Sequence, residues 1–99
     1  MTTEVQIDEK IKQKVQEPKR WKVVLLNDDT TPMEFVVSTL TEIFKHTQET
    51  AKAVTLEIHN SGSGIAGIYS FEIAEVKAVE ATQLARSNGF PLQIKMEEE

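Results

Sequence analysis

"LLNDDTTPMEFVV", residues 25–37, passes from an apolar strand into an apolar helix through a polar join. That join sets Asn27, Asp28 and Asp29 side by side. A short turn needs one or two polar residues, so the run has two readings. Acids just before a helix N-terminus are favoured by the helix dipole and by the unpaired N–H groups there. Alternatively, they grip something positive. Thr31 is placed as an N-cap, with Pro32 at the first helical position and Glu34 three residues after the cap. This is a capping box, with proline where its missing N–H costs nothing. A cap made by Thr31 and Glu34 leaves Asp28 and Asp29 available for other work. They stand at the rim of an apolar region, a setting that suits an ammonium group attached to a hydrophobic side chain.

Working outward, "WKVVLL", 21–26, is β-branched and apolar and reads as a strand buried on both faces. After the join, Val36, Leu40, Ile43 and Phe44 recur at helical spacing, flanked by Met33 and Val37. A second helix is capped by Thr47 and runs to about His59, where "NSGSG" ends it. Ala51, Val54, Thr55 and Ile58 share one side of it. "IAGIYSFEI", 65–73, alternates Ile65, Gly67, Tyr69, Phe71 and Ile73 with other residues and reads as a strand. A third helix spans about 74–87, with Ala74, Ala78, Ala81 and Ala85 as a narrow face able to approach a sheet closely. Arg86 and "NG" at 88–89 are stop signals. "PLQIKM", 91–96, alternates as a strand with one wet face, and "EEE" closes the chain as a solvated end. The order β-α-α-β-α-β predicts an α+β fold: a small, three-stranded, mostly antiparallel sheet with three helices packed on it.

A chain of 99 residues suits one domain with a modest core, and 39% hydrophobic content permits folding. Residues 1–19 are polar and read as a flexible tail, although Ile7, Ile11 and Val15 sit four apart; the domain is expected over 20–99. With no cysteine, disulfides and thiolate chemistry are excluded. The N-terminus lacks the layout of a secretion signal and no apolar run suits a membrane span, so a cytoplasmic protein is expected. Residues 1–20 hold five basic and four acidic side chains, a net of +1, so with −5 for the whole chain residues 21–99 carry −6. That sign offers no footprint for nucleic acid and favours cationic partners.

His59, near a helix end, reads as a partner of the helix dipole or as a ligand-binding group. His46, in the "KHT" junction, reads as structural. Asn27, Asp28, Asp29 and His59 lack the spacing of a calcium loop or a zinc helix, so no metal or other cofactor is expected. No catalytic residue is assigned: there is no Cys, no Gly-x-Ser-x-Gly elbow and no evident nucleophile–base pair. "GSGIAG" precedes a strand, whereas phosphate loops follow one.

"WKVVLLNDDTTPMEFVV", followed by "AVTLEIHNSG", "GIYSFEIAEVK" and "GFPLQI", resembles the ClpS family, adaptors of bacterial Clp proteases, over about residues 20–96. The resemblance implies an adaptor, not an enzyme. It would bind N-degrons, proteins that begin with a bulky destabilising residue (Leu, Phe, Trp or Tyr), and deliver them to a ClpA-type AAA+ unfoldase for degradation by ClpP. It implies that Asn27, Asp28 and His59 hold the α-amino group and that Asp29 and Thr31 orient the peptide or the turn. Met33, Val36, Ile58 and Leu92 would line the side-chain pocket, and Glu72 and Lys77 would dock the unfoldase. Thr55 stands where many family members have a pocket Met. Either the pocket is wider there and admits Ile or Val, or neighbours refill the space and the preference is unchanged. The competing expectations are a plain docking domain with no need for a free amine, resembling the C-terminal domain of the ribosomal stalk protein, and a metal-dependent hydrolase. A monomer is the default.

Overall fold

The computed structural model describes residues 18–99. The tail expected over 1–19 falls almost wholly outside the described residues. The element order is β1 (Arg20–Leu26), α1 (Met33–Glu42), α2 (Gln48–Ser61), β2 (Ser63–Ser70), α3 (Phe71–Ser87) and β3 (Gln93–Glu98). The strands form one sheet in the order β2-β1-β3, and both pairings are antiparallel. This is the α+β layer the sequence predicts.

Pleating decides what each strand residue touches. Val23 and Leu25 join a core formed with Val36, Leu40 and Phe44 from the α1 region, Ala51 and Ile58 of α2, and Ala74, Ala81 and Ala85 of α3. The three alanines are fully buried, as a helix lying close to a sheet requires. The other sheet face is covered at its centre: Val24, on that face, is 5% exposed, so the middle of β1 is buried on both faces, as its apolar run predicts. Val24 lies in one row between Ile65 and Lys95, and Ile65 and Ile68 remain 43% and 38% exposed.

Three boundaries differ from the sequence pattern, each for a physical reason. First, β2 begins at Ser63 and bulges at Ala66, since Val23 pairs with Gly67 but Val24 pairs with Ile65. The bulge turns Ala66 into the core and Ile65 outward, so the alternation read from Ile65 through Tyr69 does not lie on one face. Second, Phe71 and Ile73 belong to α3, which starts after an extended Ser70. Phe71 packs its ring edge-on against Trp21 at 5.1 Å instead of continuing the strand. Third, β3 runs on to Glu98, so "EEE" is not a loose end. Glu98 pairs with Lys19 at 2.9 Å and Glu97 with Lys95 at 2.8 Å. Glu99 takes a two-pronged contact from Arg20 at 2.8 and 2.9 Å. His46 has the structural place expected of it: Nε2 donates to the Ala66 carbonyl at 2.6 Å, tying the α1–α2 junction to β2.

Candidate functional site

The turn after β1 is organised by a single carboxylate. Asp28 Oδ1 accepts from the Thr30 N–H at 2.8 Å and from the Thr31 N–H at 2.6 Å, and Oδ2 accepts the Thr31 hydroxyl at 2.8 Å. The expected capping box is therefore absent. α1 begins at Met33 after Pro32, with no side-chain cap, and Thr31 gives its hydroxyl to Asp28. An ionised carboxylate is a stronger acceptor than the alternatives within reach, so it wins both donors of Thr31. Asp28 is thus not left spare by a Thr31 cap: it is what holds the turn. Its three accepted bonds leave about one lone-pair direction open, on Oδ2. Burial by itself would raise the Asp28 pKa. The two bonds from Thr31, the bond from Thr30 and the charge of Arg86 outweigh it and hold the carboxyl below the ordinary aspartate value.

A backbone bond brings this turn to α2. The Asn27 N–H donates to the Gly62 carbonyl at 2.9 Å. Gly62 ends α2 with φ 92°, a left-handed conformation that favours glycine, and its N–H returns to the Ile58 carbonyl at 2.9 Å. His59 lies in that last turn and is exposed. Asn27, Asp28 and His59 are thereby carried on two segments joined by a hydrogen bond. Asp29 is exposed on the same turn.

The apolar residues expected to line a pocket are mostly buried. Val36, Ile58 and Leu92 belong to one buried cluster and are 6%, 3% and 1% exposed. Thr55 is 4% exposed, and its hydroxyl donates to the Ala51 carbonyl at 2.7 Å, so it presents a methyl group to its surroundings. Met33 opens α1 and is 44% exposed, the one apolar member of the set that solvent reaches freely. Val36, Ile58 and Leu92 are thus nearly closed off from solvent, whereas Met33 is not among the residues packed on their cluster. Two surface hollows, of about 380 Å³ between α3 and β3 and about 480 Å³ between the end of α1 and α3, are lined by none of these residues. Among the described residues, no group of three or more His, Cys, Asp or Glu side chains is placed to hold a metal ion. No helix there is long and apolar enough to cross a membrane.

A family model described as the ATP-dependent Clp protease adaptor protein ClpS matches residues 16–95. The chain belongs to the ClpS family. It is 48% identical over 84 residues to the ClpS adapter of Helicobacter hepaticus, covering 85% of each chain. It is 43% identical to the ClpS adapter of Clostridium acetobutylicum over 99% of both chains. Agrobacterium tumefaciens ClpS2, whose structure is bound to L-phenylalaninamide, superposes with a TM-score of 0.81 at 43% identity, over 84% of this chain and 100% of that one. As a ClpS protein, the chain is an adaptor of the Clp protease and not an enzyme.

Of the two residues that family resemblance assigns to docking, Glu72 is exposed in the first turn of α3. Lys77 is half-buried: its ammonium donates to the Ile43 carbonyl at 2.7 Å and sits 5.4 Å from the centre of the Tyr69 ring. Two residues in contact with Ile58 and with the Leu92 segment escape sequence reasoning. Gly64 faces α2 so closely that a Cβ there would fall 2.7 Å from Ile58 Cγ1. A glycine inside a strand pattern is the signal for such close approach. Arg86 reads as a helix stop, yet it reaches the Phe90 and Leu92 carbonyls. Nothing in the spacing announces that.

Proposed function

We propose that this ClpS protein recognises N-degrons, gripping the α-amino group and the bulky first side chain of a substrate, and hands them in the cytoplasm to a ClpA-type AAA+ unfoldase for degradation by ClpP. The observation that carries the reading is the junction of the acidic turn with the end of α2. The Asn27 N–H bond to Gly62 ties the segment of Asn27 and Asp28 to the helix end that carries His59, and the residue before His59, Ile58, belongs to the buried cluster with Val36 and Leu92.

An α-ammonium has three N–H donors. The open position on Asp28 Oδ2, the Asn27 amide oxygen and an unprotonated His59 nitrogen supply one acceptor each. Thr31 holds Asp28 in place, and Asp29 adds negative charge beside it. L-phenylalaninamide, the ligand of the Agrobacterium relative, has a free α-amine, an aromatic side chain and an amide that stands in for a first peptide bond. Burying a large apolar side chain contributes about 1.5–3 kcal/mol. Charge-assisted hydrogen bonds add about 1.5–3 kcal/mol each before ordering costs. Together they support micromolar or tighter binding, about −8 kcal/mol.

A second reading, docking without amine recognition, draws on the exposed apolar row Phe71, Ile73, Val76 and Val79 along α3, beside Glu72. In the adaptor reading, that surface and Glu72 face the unfoldase, and Lys77 braces it from inside. Fluorescence-polarisation binding separates the two. Labelled peptides beginning with Leu, Phe, Trp, Tyr, Ile, Val, Ala or N-acetyl-Leu are titrated with wild type and with Asp28→Ala. Tight binding of the bulky residues, lost on acetylation and in the variant, supports the amine clamp. Uniform binding across the set leaves the docking reading in its place.

A further inference from the structure

Leu92 is almost completely buried in the apolar wall, yet it belongs to neither α3 nor β3. It lies in the connection between them. The backbone cap of α3 fixes only the first part of that connection. Gly89, with φ 78°, donates to the Arg86 carbonyl at 3.0 Å, and the Phe90 N–H returns to the Ala85 carbonyl at 2.9 Å. The chain then crosses Pro91 and Leu92 before pairing with β1 begins at Gln93. Two side-chain contacts span the gap. The Phe90 ring meets Phe35 of α1 edge-on at 4.8 Å. Arg86 Nη1 donates to the Phe90 carbonyl at 2.9 Å and to the Leu92 carbonyl at 2.7 Å. Both protons of that nitrogen are therefore used on the two carbonyls that flank Pro91.

We propose that Arg86 is a positioning residue for the recognition pocket: by clamping the Phe90 and Leu92 carbonyls, it sets where the Leu92 side chain meets Val36 and Ile58. The inference rests on the N-degron reading for its consequence in binding, but not for the clamp itself. Among the described residues Arg86 makes no ion pair, so its role here is that of a fork for carbonyls and not of a charge partner. A lysine in its place presents a single ammonium on a flexible stem and cannot reproduce the fork. Arg86 also lies close enough to Asp28 to favour its ionised form, so one side chain attends both the apolar and the polar half of the site.

The test compares Arg86→Met, which keeps an apolar stem, and Arg86→Lys with wild type, each also on a Leu92→Val background. The readouts are affinity for Leu- and Phe-initiated peptides and the Leu92 methyl signals of the peptide-free protein by NMR. R86M is expected to weaken binding about five- to twentyfold, the size of one or two lost hydrogen bonds. R86K recovers part of that loss. On the Leu92→Val background the R86M effect shrinks, because the two residues act through one position. The Leu92 methyl signals shift or broaden in R86M before any peptide is added. Unchanged methyl signals, or a loss of the same size on both backgrounds, overturn the proposal. Should R86M melt below the assay temperature, R86K carries the same comparison. If wild type binds none of the peptides, the N-degron reading fails, while the methyl signals still decide whether Arg86 holds Leu92.

Discussion

Replacing Asp28 by Asn separates the charge of the turn from its shape. The amide oxygen of an asparagine still accepts from the Thr30 and Thr31 N–H groups, and its NH₂ can meet the Thr31 hydroxyl as acceptor, so the contacts persist without charge. Three charge-assisted bonds become neutral ones. Each such exchange costs about 1 kcal/mol, the difference between about 1.5–3 and about 0.5–1.5 kcal/mol. The turn is half open to water, and screening there pulls the sum down to about 1–2 kcal/mol. For a domain of this size that lowers the Tm by about 4–16 °C. The pH dependence gives a sharper check. The folded Asp28 pKa is depressed below 3.8. Its stabilisation is therefore present above that value and is lost as pH falls through the folded pKa. The gap in Tm between wild type and Asp28→Asn, followed by circular dichroism, is expected to be full at pH 7 and to close towards pH 2. Other carboxylates titrate in both proteins and cancel in the difference. Equal Tm values at pH 7, or a gap that persists undiminished at pH 2, would refute the claim that the ionised Asp28 holds the turn.

Other perturbations follow from single contacts. Gly64→Ala puts a methyl group 2.7 Å from Ile58 Cγ1, so α2 or Ile58 must shift. Urea unfolding should show a loss of about 1–3 kcal/mol, and binding should fall more for Trp- than for Leu-initiated peptides. Lys77→Met removes the bond to the Ile43 carbonyl and the contact with the Tyr69 ring, an expected loss of about 1–2 kcal/mol in chemical denaturation. Any docking defect of that variant must exceed what its lower stability explains. Thr55→Met adds bulk to the buried side of α2. If the Thr55 methyl leaves the wall wider, the affinity ratio of Ile- to Leu-initiated peptides drops in the variant; an unchanged ratio means that neighbours already fill the space.

Much of this architecture was legible because local chemistry and global packing agree. The alanine face of α3, the Thr47 cap whose hydroxyl accepts from the Thr50 N–H at 3.1 Å, and the glycine stop after α2 each state their role in the sequence. The misreadings share one trait: a hydrogen bond, contact or bulge that periodicity does not show. Thr31 looked like a cap until Asp28, three residues earlier, took its donors. Phe71 continued a strand pattern until Trp21 offered an aromatic contact instead. Ile65 sat in phase with Tyr69 until the bulge at Ala66 changed the phase. The three closing glutamates looked solvated because Lys19, Arg20 and Lys22 become their neighbours only once β3 has paired with β1. At the site, Asn27, Asp28 and His59 stood out by residue type and by family likeness. Gly64 and Arg86 matter through a close approach and through two backbone carbonyls; only the first leaves a trace in the chain, a glycine at the start of a strand.

The central claim, that this ClpS protein holds a free α-amine above an apolar pocket, is tested most directly by calorimetric titration with L-phenylalaninamide and with its N-acetyl derivative. The two ligands share the side chain and the amide and differ only in the ammonium. The account predicts measurable binding of the free amine and at least about a hundredfold loss on acetylation, since two charge-assisted bonds of about 1.5–3 kcal/mol vanish together. Equal affinities for the two would contradict it, leaving Asp28 as the architect of a turn and Asn27 and His59 as bystanders.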